Sequence, residues 1–101
     1  MEEKMYSICM SVPLGKRNGL MYVQKAGDTI FGWMELMNHR NTFSGKFLDQ
    51  KKLEIFGVLK TLISNVSYTA TGIITSHTVY LELTSDSNDH YFVYGEEKCN
   101  S

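Results

Sequence analysis

The chain has 101 residues, of which 43% are hydrophobic and 12% aromatic, and its 10 basic and 11 acidic side chains give a formal net charge of −1. This composition predicts one small folded domain and excludes an intrinsically disordered chain. The near-neutral charge and the lack of a basic cluster argue against a nucleic-acid partner, because phosphate backbones are bound through grouped Lys and Arg side chains.

In chain order, the period-two alternation of apolar and polar residues predicts strands at about residues 4–12, 20–25, 29–37, 43–47, 53–59, 66–74, 78–83 and 91–95. Turn or loop residues separate them at 13–19, 26–28, 38–42, 49–52, near 64–65, and at 84–89. The first turn contains Pro13 and the pair Asn18-Gly19, which is typical of a hairpin. No segment keeps the three-to-four spacing of apolar residues that a helix requires.

Five glycines interrupt the predicted strands, and four of them stand between two apolar residues of the same face: Gly32, Gly45, Gly57 and Gly72, with Gly95 as the partial fifth case. Glycine within a strand costs about 0.5–1 kcal/mol relative to alanine, so its repeated use requires a geometric reason. We expect strong curvature, with the glycines on the concave face, where a side chain would collide with the opposite wall.

The sequence therefore predicts an all-β, antiparallel up-and-down meander of about eight strands closing into a small barrel. An open curved sheet or a two-sheet sandwich is the alternative. We expect one domain over residues 1–101, with an ordered core at about 4–95 and a flexible tail at 96–101.

Three segments share a glycine flanked by apolar or aromatic residues: Phe43-Ser44-Gly45, Phe56-Gly57-Val58-Leu59-Lys60-Thr61 and Tyr68-Thr69-Ala70-Thr71-Gly72. In these segments, and loosely from Ser11 to Gly95, the chain resembles a group of uncharacterised small bacterial β-barrel proteins of lipocalin-like, or calycin-like, architecture. The chain departs from true lipocalins, whose N-terminal signature places Gly and Trp one residue apart. Here Gly32 and Trp33 are adjacent and lie in the third predicted strand. It also departs from fatty-acid-binding proteins, which insert a helical lid. The resemblance implies the barrel and a small apolar ligand, and it transfers no binding residue.

The predicted inward face contains polar groups, because the alternation assigns Tyr22 and Tyr68, with their hydroxyls, to the interior together with Met34 and Phe47. Binding pockets combine apolar walls with a few polar groups in this way. These four residues are the predicted ligand-binding set, and the predicted function is non-catalytic binding of an apolar or amphipathic molecule inside the barrel. A solid core with satisfied tyrosine hydroxyls is the alternative.

The opposite face is unusually apolar, because Phe31, Trp33, Phe56 and Tyr94 all have the outward phase. Several large apolar side chains on an outer wall suggest an interface. The competing function is therefore a structural or interaction module that forms a homo-oligomer, or binds another protein, through this wall. The sequence does not establish that the wall is continuous, because polar outward residues of the fourth strand could interrupt it.

No catalytic motif, metal site or cofactor site is predicted. The histidines His39, His77 and His90 fall in predicted loops without a second ligand at metal-binding spacing. Cys9 has no neighbouring base in the sequence, as a nucleophile would require. An enzyme that uses a histidine at the barrel mouth remains a third interpretation without positive support.

The chain lacks the ~20 consecutive apolar residues of a membrane helix, and its first residues lack the basic start of a signal peptide. We therefore expect a cytoplasmic protein that has no membrane partner. Cys9 and Cys99 permit at most one disulfide, which is no disulfide framework, so reduced thiols are expected. A bridge between the two stays open if the first and last strands are neighbours.

Overall fold

The computed structural model describes residues 2–12, 15–36, 39–60 and 65–98. These residues form eight antiparallel strands in meander order, and β8 pairs with β1 to close the barrel. The strands are β1 (Glu2–Val12), β2 (Gly15–Ala26), β3 (Thr29–Leu36), β4 (His39–Phe47), β5 (Lys52–Lys60), β6 (Asn65–Ile74), β7 (Thr78–Ser85) and β8 (His90–Glu97). The predicted fold class is confirmed.

All eight strands contribute inward-facing apolar side chains to one core. The alternation of burial follows the predicted phase in β1, where Tyr6, Ile8 and Met10 are buried, and in β5 and β6. Because successive side chains of a strand point to opposite faces, one residue in two is removed from water. Burial of a large apolar side chain stabilises the fold by about 1.5–3 kcal/mol, so the closed core is the main stabilising feature.

The strand boundaries differ from the prediction at the β1–β2 hairpin. β2 begins at Gly15 instead of at about residue 20, and Asn18-Gly19 lies within the strand, where it pairs with Cys9 and Ile8. A Cβ atom at Gly19 would overlap the Glu35 backbone oxygen. Gly19 is therefore an inward strand glycine and not a turn residue, because β2 comes too close to β3 there.

The predicted loop at residues 38–42 is largely strand. β4 begins at His39, and its first residues continue the ladder with β3, with Asn41 opposite Met34. Asn41 is only 3% exposed, and its buried amide is satisfied by hydrogen bonds. Its Nδ2 donates to the Met34 and His39 carbonyl oxygens at 3.2 and 3.0 Å, and its Oδ1 accepts from the Lys60 amide at 2.9 Å.

The last two strands also extend further than predicted. β7 continues to Ser85 instead of ending at about residue 83, and β8 runs from His90 to Glu97 instead of ending at about residue 95. The Glu97 amide donates to the His77 carbonyl oxygen at 2.7 Å, and the Lys98 amide donates to the Met5 carbonyl oxygen at 2.8 Å. These bonds order Glu97 and Lys98, the second and third residues of the segment that was expected to be flexible.

The strand glycines lie on the concave face, but the predicted reason for them is wrong. A Cβ atom at Gly45 would overlap the Glu54 carbonyl oxygen and lie 2.7 Å from Ile55 Cα, both in the adjacent strand β5. The opposite wall of the barrel is not involved. Strong bending brings the backbone of the neighbouring strand against the inward side of the glycine, and this excludes a side chain.

Some predicted features lie outside the described residues. They include the turn at Pro13, the end of the third predicted strand at Met37, part of the turn before β6, and Cys99 with the end of the tail.

Candidate functional site

The four predicted ligand-binding residues do not form one site. Met34 and Tyr68 lie in the core at 0% and 4% exposure, and Phe47 packs at one end of the core. The inward orientation predicted for Tyr22 is wrong, because its neighbours Met21 and Val23 occupy the inward positions of β2. Tyr22 instead packs on the outer surface.

The centre of the barrel is filled by its own side chains. Ile30, Met34, Leu53, Ile55 and Leu81 are each 0% exposed and belong to one cluster. A barrel of eight strands is narrow enough for its inward side chains to fill the interior. Tyr68 lies in this packed interior, and its hydroxyl is buried without a hydrogen-bond partner among the described residues. Burial raises the pKa of the Tyr68 phenol well above its usual value.

An open cavity of about 430 Å³ lies at one end of the barrel. Its volume is within the range of small-molecule sites, roughly 300–1,000 Å³. This end holds the β2–β3, β4–β5 and β6–β7 turns. We call it the basic mouth, and the residues that define it are Lys4, Tyr6, Lys25, Phe47, Lys51 and Ile74.

The basic mouth arises where the inward rows of three strands continue beyond the apolar core. In β1 the row passes from Tyr6 to Lys4, and in β2 it passes from Val23 to Lys25. Lys4 and Val23 are register partners, so these two rows lie side by side. Phe47 ends the inward row of β4. The floor of the cavity is therefore apolar, whereas its rim carries ammonium groups on flexible stems.

Lys4 is compensated by neighbouring groups. Its Nζ lies 2.7 Å from Glu97 Oε2 and 2.9 Å from the Ser76 carbonyl oxygen. Glu97 Oε1 also lies 3.3 Å from His77 Nδ1. The hydrogen bond from Lys4, and to a smaller extent that from His77, lowers the pKa of Glu97 below its usual value. This ion pair joins the start of β1 to the end of β8 at the rim.

Tyr6 closes the floor of the basic mouth as a neutral group. Its hydroxyl donates to the Thr75 carbonyl oxygen at 2.9 Å, and the residue is 1% exposed. Burial, together with the nearby Glu97 carboxylate, raises the pKa of Tyr6 to about 12. The hydroxyl is therefore engaged with the β6–β7 turn, and the ring supplies apolar surface.

Lys25 lies against the aromatic ring of Phe47. Its Nζ is 4.7 Å from the ring centroid, which is the geometry of a cation–π contact. Lys51 is in the β4–β5 turn, where the Lys51 and Lys52 backbone amides both donate to Asp49 Oδ1 at 2.9 Å. These two bonds lower the pKa of Asp49 and fix the turn that carries Lys51. The two lysines thus stand on different elements at the same opening.

The outer aromatic residues are divided by the strand register. Phe31 and Phe56 are separated by Ser44 of β4, and Tyr94 lies on β8 beside Cys9. Trp33 is covered in part by its neighbours, since Tyr22 packs at a ring-centroid distance of 5.7 Å and the Arg40 guanidinium lies 4.3 Å from its ring. The four predicted interface residues face outward as expected, but they do not form one wall.

A different outer surface is continuous. Ile73, Tyr80 and Tyr94 are register partners across β6, β7 and β8, and Phe92 stacks on Tyr80 with ring centroids 6.4 Å apart. We call these four residues the β7–β8 patch, and their exposed fractions lie between 39% and 47%. The period-two alternation already indicates that Tyr80 and Ile73 face outward. Their position beside Tyr94 depends on the strand register, which the sequence alone does not give.

The described residues contain no group of three or more His, Cys, Asp or Glu side chains that could hold a metal ion. His39 and His90 begin strands β4 and β8, and His77 lies in a turn. His90 Nδ1 is 3.9 Å from Glu82 Oε1 on the outer surface. No helix in the described part of the chain is long and apolar enough to cross a membrane.

Comparison with family models, curated proteins and solved structures found no match to this chain. The functional interpretation therefore depends on the geometry of the barrel and its surfaces.

Proposed function

We propose that this protein is a non-catalytic binding protein that takes a small apolar or amphipathic molecule in the basic mouth. The observation that carries the proposal is the open cavity of about 430 Å³, which has an apolar floor and a polar rim. Ligand sites are typically concave and mostly apolar, with a few polar groups that orient the ligand. The sequence predicts a ligand inside the barrel. Because the inside is filled by side chains, we propose that the ligand binds at the end of the barrel instead.

The test uses two short probes of six carbon atoms each, hexanol and hexanoate, added to the protein while its two-dimensional amide NMR spectrum is recorded. We expect at least one probe to shift the amides of Val23, Lys25, Phe47 and Thr75 in a saturable manner. Phe47→Ala should weaken this response because it removes part of the apolar wall. Phe56→Ala is the matched control, since Phe56 is 55% exposed on the outer face. A saturable response to neither probe would refute the proposal.

We propose as a second candidate that the β7–β8 patch joins two copies of this chain. Four large apolar side chains at 39–47% exposure form one surface, and such surfaces are typical of interaction sites. A second copy of the chain is a suitable partner, because a two-fold interface joins the same patch of both copies.

Native mass spectrometry tests this second candidate. We expect a dimer for the unmodified chain and a monomer for Tyr94→Glu, because a charge in the patch would have to be desolvated on association. Phe56→Glu places the same charge on an isolated outer aromatic residue and should leave the dimer intact. A monomer for the unmodified chain at tens of micromolar would contradict this candidate.

The closed eight-stranded meander also supports the proposal that the chain is related to small bacterial β-barrel proteins of lipocalin-like architecture. The cytoplasmic location stays a prediction of the sequence.

A further inference from the structure

We infer that the basic mouth selects a ligand with a short apolar tail and an anionic head, held by Lys25 and Lys51. This inference rests on the proposed function and adds the chemical class of the ligand. Among the described residues that line the cavity, three are lysines and none is a carboxylate. An opening with this composition attracts anions and repels cations.

The three lysines are not equivalent. Lys4 is already paired with Glu97 at 2.7 Å, so its charge is compensated within the protein. Among the side chains that the structure describes, which do not include that of Glu2, the register partner of Lys25, no carboxylate oxygen lies within 4.0 Å of the ammonium group of Lys25 or Lys51. We therefore assign the binding of an anionic head to these two ammonium groups.

The apolar surface lies next to this charge. Phe47 contacts the Lys25 ammonium on one side and packs against the core on the other. Tyr6 and Ile74 are 1% and 9% exposed and close the floor. A ligand tail on this floor would place its head at the rim, where two ammonium groups can donate charge-assisted hydrogen bonds to an anion. The packed core closes the cavity below this floor, so a short tail is favoured over a long one.

A neighbouring groove carries carboxylates and could favour a cationic ligand, so the test must distinguish anionic from cationic ligands. It is lined in part by Asp28, Asp49, Lys25 and Phe47, and shares the last two residues with the basic mouth. The charge of Asp49 is engaged by the backbone amides of Lys51 and Lys52. Asp28 is exposed on the β2–β3 turn. A cationic ligand would use these carboxylates, so a cationic probe belongs in the experiment.

The experiment measures dissociation constants for three probes of six carbon atoms each: hexanoate, hexanol and hexylammonium. NMR titration of the full chain at low ionic strength supplies the constants. We expect hexanoate to bind at least about tenfold more tightly than hexanol, and hexylammonium to bind most weakly. The preference for hexanoate should decrease with added salt, because the lysines lie at an open rim.

Lys25→Met with Lys51→Met retains the apolar stems and should reduce the preference for hexanoate over hexanol to about twofold or less. Lys46→Met is the matched control, because Lys46 is exposed on β4 and alternates with the inward residues Gly45 and Phe47. It should leave the preference unchanged. The amide spectrum of each variant reports whether the barrel is still folded.

Equal binding of hexanoate and hexanol would overturn the inference and leave the proposed function standing. Tighter binding of hexylammonium would also overturn it and would assign the ligand to the aspartates. An equal loss of preference in Lys46→Met would overturn the assignment to Lys25 and Lys51. If neither hexanoate nor hexanol binds, the proposed function itself fails.

Discussion

Replacing Gly72 with alanine would place a methyl group against the backbone of the neighbouring strand. Gly72 lies on the inward face of β6, and an added Cβ would overlap the Tyr80 carbonyl oxygen and lie 2.8 Å from Leu81 Cα. Carbon atoms that are not bonded pack at about 3.5–4.0 Å, so β7 would have to move by roughly 0.7 Å or more. Because both obstructing groups belong to the backbone, no side-chain rotation can relieve the overlap.

The cost follows from three contributions. Overpacking costs about 1–3 kcal/mol, and weakening two ladder hydrogen bonds beside the Gly72–Leu81 pair costs about 1 kcal/mol each. Alanine recovers about 0.5–1 kcal/mol of strand preference. The net loss is about 3 kcal/mol, which is a large part of a typical stability of about 5–15 kcal/mol. For a domain of this size, this loss corresponds to a decrease in melting temperature of roughly 12–24 °C.

Thermal and urea unfolding, followed by circular dichroism, measure this loss, and two variants serve as controls. Thr71→Ala changes the adjacent outward residue and should cost less than about 1 kcal/mol. Gly27→Ala has no atom within 4 Å of the added Cβ but a φ of +62°, so it isolates the conformational cost of about 1–2 kcal/mol. If Gly72→Ala were as stable as Gly27→Ala, or more stable than the unmodified chain, the proposed backbone overlap would be refuted.

Three further substitutions test the buried amide of Asn41 and the rim of the barrel. Asn41→Ala removes hydrogen bonds to three backbone groups, including the Lys60 amide, and should lower the free energy of unfolding by about 2 kcal/mol in urea titrations; a neutral effect would contradict a stabilising role for these bonds. Tyr6→Phe removes the bond to Thr75 and should cost about 1 kcal/mol by the same measurement, whereas unchanged stability would show that the bond contributes nothing. Glu97→Gln removes a carboxylate whose pKa is lowered mainly by Lys4. A lowered folded-state pKa stabilises the fold above the unfolded pKa, and this contribution is lost as the pH falls through the folded pKa. The melting temperatures of Glu97→Gln and the unmodified chain should therefore differ near neutral pH and converge as the pH falls below the folded-state pKa of Glu97; a difference that persists at the lowest pH would contradict this linkage.

The fold was predictable because alternation and glycine placement are local signals. The inward residues of β1, β5 and β6 follow directly from the period of two. The start of β4 was missed because His39, Arg40 and Asn41 are polar, and polarity alone suggests a loop. Two of them are exposed on the surface, and the third buries an amide that accepts a hydrogen bond from Lys60, 19 residues further along the chain. Such a bond leaves no mark in local composition.

The position of Tyr22 was wrong for a related reason. The segment Met21-Tyr22-Val23 contains three residues that are all compatible with a core. A shift of one residue exchanges the two faces of a strand, so composition cannot choose between them. Pairing with β3 resolves the ambiguity, because Tyr22 lies opposite Trp33 on the outer face.

The basic mouth was beyond prediction because its residues come from distant parts of the chain. Lys4, Lys25 and Lys51 are far apart in sequence and carry no motif. They meet because every second hairpin of the meander, namely β2–β3, β4–β5 and β6–β7, places its turn at the same end of the barrel as the start of β1. Of the predicted ligand-binding residues, only Phe47 reaches this site.

Intermolecular nuclear Overhauser effects between hexanoate and the protein test the central claim most directly, because they report which side chains the tail contacts. We expect contacts from the methyl and methylene protons of the tail to Tyr6, Phe47 and Ile74. Contacts to Met34 and Tyr68 would place the ligand inside the barrel, and contacts to Tyr80 would place it on the β7–β8 patch. Either result, or no contact at saturating hexanoate, would contradict the assignment of the binding site to the basic mouth.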